Sequence, residues 1–201
     1  MASPDKIRMP QAHVIKGRGA ASQVVGRFEK TVSAGEDDGW GSLYAEDETD
    51  PSLPPRTEVR IERARTIISR NQSPDIGFSQ SVNPYRGCEH GCVYCFARPS
   101  HAYLDLSPGL DFETKLSAKT NAAERLREEL AKPGYQPHPI ALGINTDGWQ
   151  PIERGHRISR ECLEVLLEAR HPLSIVTKSS LITRDIDLLA ELARRDLVHV
   201  M

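Results

Sequence analysis

The chain has 201 residues, enough to bury one substantial core, and its 26 Lys and Arg residues nearly balance its 28 Asp and Glu residues. The formal net charge of -2 excludes the overall basic field that drives non-specific nucleic-acid binding, although a local basic patch is still allowed. No apolar run approaches the roughly 18 to 20 residues that span a bilayer, and the start of the chain lacks the apolar stretch of a secretory signal. We therefore expect a cytoplasmic protein without membrane contact, whose thiols stay reduced.

The first quarter of the chain shows little apolar periodicity. It contains GRGAAS, the acidic run GEDDGWGSLYAEDETD and then PSLPP, a composition typical of chain without a packed core. We predict a poorly ordered lead segment over 1–56. Residues 57–80, which could be helix or strand, are predicted to lead into or cover a core formed by 81–201.

The region after residue 110 alternates between strand-like and helix-like patterns. DFETKLSAK predicts a short extended segment over 111–119, and Asn121 with Glu124 resembles a capping box at the start of a helix. Nearly continuous apolar runs predict buried strands, and stripes at helical spacing predict helices. The predicted strands are 139–145, 173–178 and 197–201, and the predicted helices are 122–131, 159–170 and 183–195.

Repeated strand, loop and helix units imply crossover connections and a parallel sheet, either barrel-like or open. The last strand is interrupted at Met201 within an apolar run. A complete eight-fold barrel needs at least about 200 residues, whereas the patterned part covers only 81–201. We therefore expect an α/β protein with an incomplete sheet, as in a fragment of a longer chain.

The stretch NPYRGCEHGCVYCFARPSH, residues 83–101, places Cys88, Cys92 and Cys95 in a C-x3-C-x2-C pattern. Such spacing lets successive thiolates surround one metal centre. Structural zinc normally takes two separated pairs of ligands, although His90 or His101 could complete a zinc site here. A four-iron four-sulfur cluster held by three cysteines would instead keep one iron open. The fourth cysteine, Cys162, falls on a buried helix stripe and is interpreted as a core thiol.

RGCEHGCVYCF resembles the signature of the radical S-adenosylmethionine superfamily, in which an aromatic residue, here Tyr94, precedes the last cysteine. NPYRGCEHGCVYCFAR, NTDGWQPIER and VTKSS are similar to the spore photoproduct lyase-like (DNA repair photolyase-like) branch of that superfamily. The resemblance implies a partial parallel (β/α) barrel. It also implies a 4Fe–4S cluster on Cys88, Cys92 and Cys95, bound S-adenosylmethionine, and an electron donor of the flavodoxin or ferredoxin type.

Polar residues fall at the predicted ends of two strands, where ligands bind in parallel α/β sheets. The resemblance assigns Lys178 to the carboxylate of S-adenosylmethionine, Thr146 to a hydrogen bond with that cofactor, and Asp147 to orienting it or its neighbours. It places Tyr94 and Phe96 against the adenine. The alternatives are ordinary strand-end capping for the polar residues and packing under the loop for the aromatic ones. Lys178 is the residue for which the functional interpretation is favoured most.

The chain departs from the lyase at one position. The lyase uses a cysteine at the end of its second barrel strand as a hydrogen donor, and that position here is Ile144 or Asn145. Neither side chain can donate hydrogen as a thiol can, so we do not expect repair of spore photoproduct by that route. Trp149 and Gln150 follow as candidates for substrate contact or a core lid.

The substrate and the catalytic residues stay unassigned, with nucleic acid as one candidate partner. Two alternatives to the enzyme remain: a zinc- or nucleic-acid-binding module without catalysis, and an inactive truncated fragment.

Overall fold

The computed structural model of the protein describes residues 17–20 and 56–201. The poorly ordered segment predicted over 1–56 lies outside these residues, apart from 17–20 and residue 56. In the part that the structure describes, no helix has the length and apolar character needed to cross a membrane.

The described residues form eight strands, five α-helices and two 3-10 helices. The strands are β1 (Glu58–Glu62), β2 (Ile68–Arg70), β3 (Gln80–Val82), β4 (Tyr85–Arg86), β5 (Lys115–Lys119), β6 (Ile140–Leu142), β7 (Leu173–Ile175) and β8 (Val198–Val200). The α-helices are α1 (Leu110–Thr114), α2 (Ala122–Leu130), α3 (Glu153–His156), α4 (Ile158–Glu168) and α5 (Ile186–Ala193). The 3-10 helices are Arg98–Leu104 and Ser180–Asp185.

The larger sheet has five strands in the order β2-β3-β6-β7-β8. β3, β6, β7 and β8 run parallel, and β2 joins the edge antiparallel to β3. Val82, Leu142 and Ile175 are register partners and are fully buried in the main core, together with apolar side chains of α2, α4 and α5. The predicted alternation of parallel strands and helices is therefore confirmed.

The opposite face of this sheet carries small and polar side chains. Because successive residues of a strand point to opposite faces, the residues between the buried apolar ones share the second face. In register these are Ser69, Ser81, Ala141, Ser174 and His199. The sheet is thus apolar toward its helices and largely polar on its other side.

The smaller sheet has the order β1-β5-β4, with β1 parallel and β4 antiparallel to β5. The ambiguous region 57–80 therefore contributes strands to both sheets, β1 to this one and β2 to the larger one. The described strands form two separate sheets, and a closed barrel is not seen in them.

Three local expectations were wrong in detail. The segment predicted as extended over 111–119 is helix α1 up to Thr114, and the strand begins only at Lys115. Asn121 makes no capping hydrogen bond, because its side chain binds both backbone groups of Ala64, at 2.8 Å to the nitrogen and 2.9 Å to the oxygen. The helix predicted over 159–170 is shorter, because α4 ends at Glu168 and leaves Ala169 exposed.

Candidate metal centre and cofactor site

Residues 87–98, the cysteine loop, follow β4 and turn back on themselves. The Gly91 N–H donates to the Cys88 carbonyl at 3.2 Å, and the Cys95 N–H donates to the Cys92 carbonyl at 3.2 Å. Gly91 has φ +58°, a left-handed conformation that favours glycine. Cys88 is buried over Phe112 of α1, while Cys92 and Cys95 are half-buried. The loop thus presents three thiols from a compact pair of turns.

The thiols of the described region do not form a site for one metal ion. Among residues 17–20 and 56–201, no three His, Cys, Asp or Glu side chains are arranged to hold a single ion. His101 is buried with Nε2 2.9 Å from the Lys115 carbonyl, and His90 Nε2 lies 3.3 Å from Asp147 Oδ2. Each cysteine of a 4Fe–4S cluster binds a different iron, so its sulfurs need not converge on one point. The described residues therefore show no ready-made site for a single zinc ion, and a cluster on the three thiols stays a prediction.

Cys162 takes no part in this site. Its side chain is fully buried in the main core, on the face of α4 that packs against the larger sheet. Burial raises the pKa of the Cys162 thiol well above its ordinary value. The prediction of a core thiol is confirmed.

Arg98 holds the cysteine loop in shape. Its guanidinium donates to the carbonyls of Gly91 at 2.9 Å and Cys92 at 3.0 Å, and to Glu113 Oε1 at 2.5 Å. The Glu113 side chain is fully buried, so this charge pair is shielded from water. A planar guanidinium can serve several acceptors at once, which explains arginine at this position.

Residues 17–20, the GRGA turn, pack against the same loop. The Gly17 N–H donates to the Ala20 carbonyl at 2.8 Å, and the Gly19 N–H donates to Glu113 Oε2 at 3.0 Å. Arg18 Nη1 donates to the Glu113 carbonyl at 2.7 Å. These residues belong to the lead segment predicted over 1–56, and their hydrogen-bond partner Glu113 lies about 95 residues away in sequence. In the sequence, the two glycines that flank Arg18 were the signal that could have indicated this turn.

Asp147 joins the ends of two strands to the cysteine loop. Its Oδ1 accepts hydrogen bonds from Thr177 Oγ1 at 2.7 Å and from the Trp149 N–H at 2.8 Å, and its Oδ2 accepts from the Lys178 N–H at 3.1 Å. Burial by itself raises the pKa of Asp147, but the nearby His90 ring and the hydrogen bonds from Thr177, Trp149 and Lys178 outweigh burial and hold the pKa below its ordinary value. Asp147 therefore orients its neighbours, which brings the predicted strand ends together.

Gln150, for which the sequence suggests substrate contact, positions the backbone of the cysteine loop. Its fully buried side chain accepts from the Glu89 N–H at 2.9 Å and donates to the Gly87 carbonyl at 3.1 Å. These two residues flank Cys88, so the amide fixes the backbone on both sides of one thiol. Trp149 is also fully buried and donates Nε1–H to Asp185 Oδ2 at 2.8 Å. Of the two interpretations for Trp149, the core lid is the one that the structure bears out.

The other predicted cofactor residues lie around the loop. The pKa of Lys178 is raised, chiefly by its interaction with the Cys92 thiol. Tyr94 is 81% exposed and Phe96 is 75% exposed, so neither ring packs under the loop and contact with adenine stays a prediction. Thr146 is buried, and its Oγ1 has no hydrogen-bond partner among the described residues. A buried hydroxyl without a partner is a feature of sites that await a ligand.

Comparison with known proteins gives relatives without an assigned activity. The chain is 46% identical over 123 residues to uncharacterised protein Rv2578c of Mycobacterium tuberculosis, a match that covers 61% of this chain and 36% of that protein. The same figures hold for uncharacterised protein Mb2609c of Mycobacterium bovis. Uncharacterised protein MJ0683 of Methanocaldococcus jannaschii is 27% identical over 133 residues, which cover 66% of this chain and 47% of that protein.

The match thus spans less than half the length of each of these relatives. No family model matches the chain, and no solved structure matches it.

Proposed function

We propose that the chain carries the cofactor-binding part of a radical S-adenosylmethionine enzyme. One observation carries the proposal: Cys88, Cys92 and Cys95 share one compact loop beside Lys178, and no three His, Cys, Asp or Glu side chains of 17–20 and 56–201 are arranged to hold a single ion. Three thiolates leave one iron of a 4Fe–4S cluster without a protein ligand. An open coordination position is what a catalytic metal centre requires, by analogy with catalytic zinc.

When bound and reduced, such a cluster supplies the electron that cleaves S-adenosylmethionine to methionine and a 5′-deoxyadenosyl radical, which abstracts hydrogen from a substrate. The protein's part is to bind, orient and exclude water. Lys178 offers a cation beside Cys92 for a carboxylate, and the exposed rings of Tyr94 and Phe96 are free to meet an adenine.

Arg98, Asp147 and Gln150 support these residues without contacting the cofactor themselves. Arg98 and Gln150 hold the backbone of the cysteine loop, and Asp147 couples that loop to the strand end that bears Lys178. Metal sites depend on such outer interactions, since these fix the direction of each ligand. We propose that the electron enters from a flavodoxin- or ferredoxin-type partner.

The substrate is left open in this proposal, with nucleic acid as one candidate. The described residues place no thiol at the end of β6, because Ile144 and Asn145 occupy that region and Cys162 is buried in the core. Lyase chemistry that needs a thiol at this point as hydrogen donor is therefore not part of the proposal. A relative's full length exceeds the matched region, so further elements of such proteins would complete a substrate site.

The test is anaerobic reconstitution with iron and sulfide, followed by metal and sulfide analysis and an assay for 5′-deoxyadenosine in the presence of a strong reductant. We expect iron, labile sulfide and 5′-deoxyadenosine from the unmodified protein and none from Cys92→Ala. Cys162→Ala is the matched control, because it removes a cysteine from the core and leaves the loop intact. One zinc ion without sulfide, or iron binding equal in Cys92→Ala, would refute the proposal.

A further inference from the structure

A cavity of about 230 Å³ lies where the ends of β3, β5 and β6 meet the 3-10 helix Arg98–Leu104. Its lining includes two cations, Arg86 and Lys119, and no carboxylate of the described residues. Much of the remaining lining consists of hydroxyl and amide side chains, among them Ser69, Asn145 and Thr146. A larger groove of about 550 Å³ on the smaller sheet is lined by residues of both charges, so its lining does not favour an anion.

Lys119 is the half-buried cation of this cavity. Its Nζ donates to the Asn83 carbonyl at 2.8 Å and forms no ion pair with a carboxylate of the described part. Burial, followed by the charge of Arg86, lowers the pKa of Lys119 to about 8. A buried ammonium without a counter-charge is costly, and an anion in contact with it would offset that cost.

The carboxylates next to the cavity already accept hydrogen bonds from other side chains. Glu62 accepts two hydrogen bonds from Arg86, at 2.9 Å and 3.2 Å. Glu153 accepts from the hydroxyl of Tyr85 and, at 2.8 Å, from Arg184. The charge of Glu62 raises the pKa of Lys119, but burial and Arg86 outweigh it, and neither carboxylate forms an ion pair with Lys119, so a ligand could supply a direct counter-charge.

Thr146 provides an independent sign of a ligand. Its side chain is 5% exposed and lines the cavity, yet Oγ1 has no partner in the described structure. Asn83 accepts the Asn145 N–H through Oδ1 at 2.8 Å, so its NH₂ group is the donor that remains. An ammonium, a hydroxyl and an amide form the donor set with which proteins bind an oxyanion.

We propose that this cavity binds an oxyanion, the phosphate or carboxylate group of a substrate, with Lys119 as counter-charge and Thr146 as hydrogen-bond donor. Thr146 precedes Asp147, which contacts His90 of the cysteine loop, so a group bound there adjoins the proposed cofactor site. Assigning the oxyanion to a substrate rests on the proposed function. Binding of the anion itself does not depend on the proposed function.

The experiment titrates the full chain with sodium phosphate and, separately, with sodium acetate, before and after iron loading. Sodium chloride at matched ionic strength is the blank. Binding is followed by NMR through the backbone amides of Asn145 and Thr146 and the side-chain carbons of Lys119. We expect saturable shifts at these three residues with at least one of the two anions. Saturation by phosphate alone assigns a phosphate group, and saturation by acetate alone assigns a carboxylate.

Lys119→Met, which keeps the length of the side chain and removes its charge, is expected to weaken binding at least about tenfold. Lys132→Met is the matched control, because Lys132 is exposed and does not line this cavity. The inference fails if neither anion gives saturable shifts in the unmodified protein, or if a folded Lys119→Met binds equally well. Because the titration before iron loading needs no cluster, failure of the cofactor proposal would leave this result standing, and the converse also holds.

Discussion

Gly19 lies against Gly91 so closely that a Cβ at residue 19 would be 1.8 Å from the Gly91 carbonyl oxygen. In the other direction, a Cβ at Gly91 would meet the Cβ of Arg18 at 2.8 Å. Real Cβ atoms do not approach other atoms this closely, so two backbone segments far apart in sequence touch at a place where only glycine fits. The cysteine loop is therefore braced from outside by the GRGA turn.

Gly19→Val is expected to displace the GRGA turn and to loosen the cysteine loop. Overpacking of this kind costs about 1–3 kcal/mol, and here the loss falls on the segment that holds three thiols. We expect iron retained per chain after anaerobic reconstitution to fall severalfold. Gly77→Ala is the control, because a Cβ at Gly77 meets nothing within 4 Å. Equal iron content in the two variants would show that the turn does not support the loop.

Glu113→Ala is expected to destabilise the fold strongly. The carboxylate is fully buried and binds both Arg98 and the Gly19 N–H, so its removal leaves a guanidinium unpaired inside the protein. Breaking a buried pair in this way costs about 3–5 kcal/mol. Urea unfolding measures the change. Glu124→Ala removes an exposed partner of Arg125 and should cost no more than about 1 kcal/mol, and a similar loss in both variants would contradict this account.

Lys178→Ala is expected to weaken binding of S-adenosylmethionine about tenfold while the iron content stays unchanged, because the side chain is exposed and no described core residue depends on it. The affinity is measured on the iron-loaded protein by equilibrium binding. Lys132→Ala, which removes an exposed lysine at the end of α2, should leave the affinity as it is. If both variants bind equally well, the assignment of Lys178 to the carboxylate is wrong.

Stability should fall as the pH drops below about 6.5, in part because of His171. Burial lowers the pKa of His171 below its ordinary value of 6.5, and the ring is held by the Tyr135 hydroxyl at 2.8 Å. The unfolded chain therefore binds a proton at a pH where the folded protein does not, so stability is fully present above 6.5 and is lost as the pH falls toward the folded pKa. His101 is buried with a lowered pKa and acts in the same direction.

Urea unfolding at about pH 7.5 and about pH 5.5 measures this dependence, with at most about 1.4 kcal/mol from each histidine for each unit by which its pKa is lowered. The His171→Gln variant cannot take up the proton, so it should lose less stability between these two pH values. A loss as large as in the unmodified protein would assign the dependence to other groups.

Much of the fold could be predicted from local patterns. Short apolar runs and helical stripes identified β6, α4 and β7 within a few residues, because burial of each element is written into its own periodicity. The spacing of Cys88, Cys92 and Cys95 also predicted that three thiols lie close together, because the three residues fall within eight positions of the sequence. The pairing of β1 with β5 could not be predicted, because the residues that pair, such as Glu58 and Lys115, are distant in sequence.

The sequence by itself determined the alternation of strands and helices, the compact set of three thiols and the polar residues that follow β6 and β7. Only the tertiary structure decided that the GRGA turn braces the cysteine loop, that Gln150 holds the backbone on both sides of Cys88, and that Lys119 lies in one cavity with Thr146. The physical reason is the separation along the sequence over which each effect acts. Periodicity and spacing act over a few residues, whereas hydrogen bonds in this site join residues up to 95 positions apart.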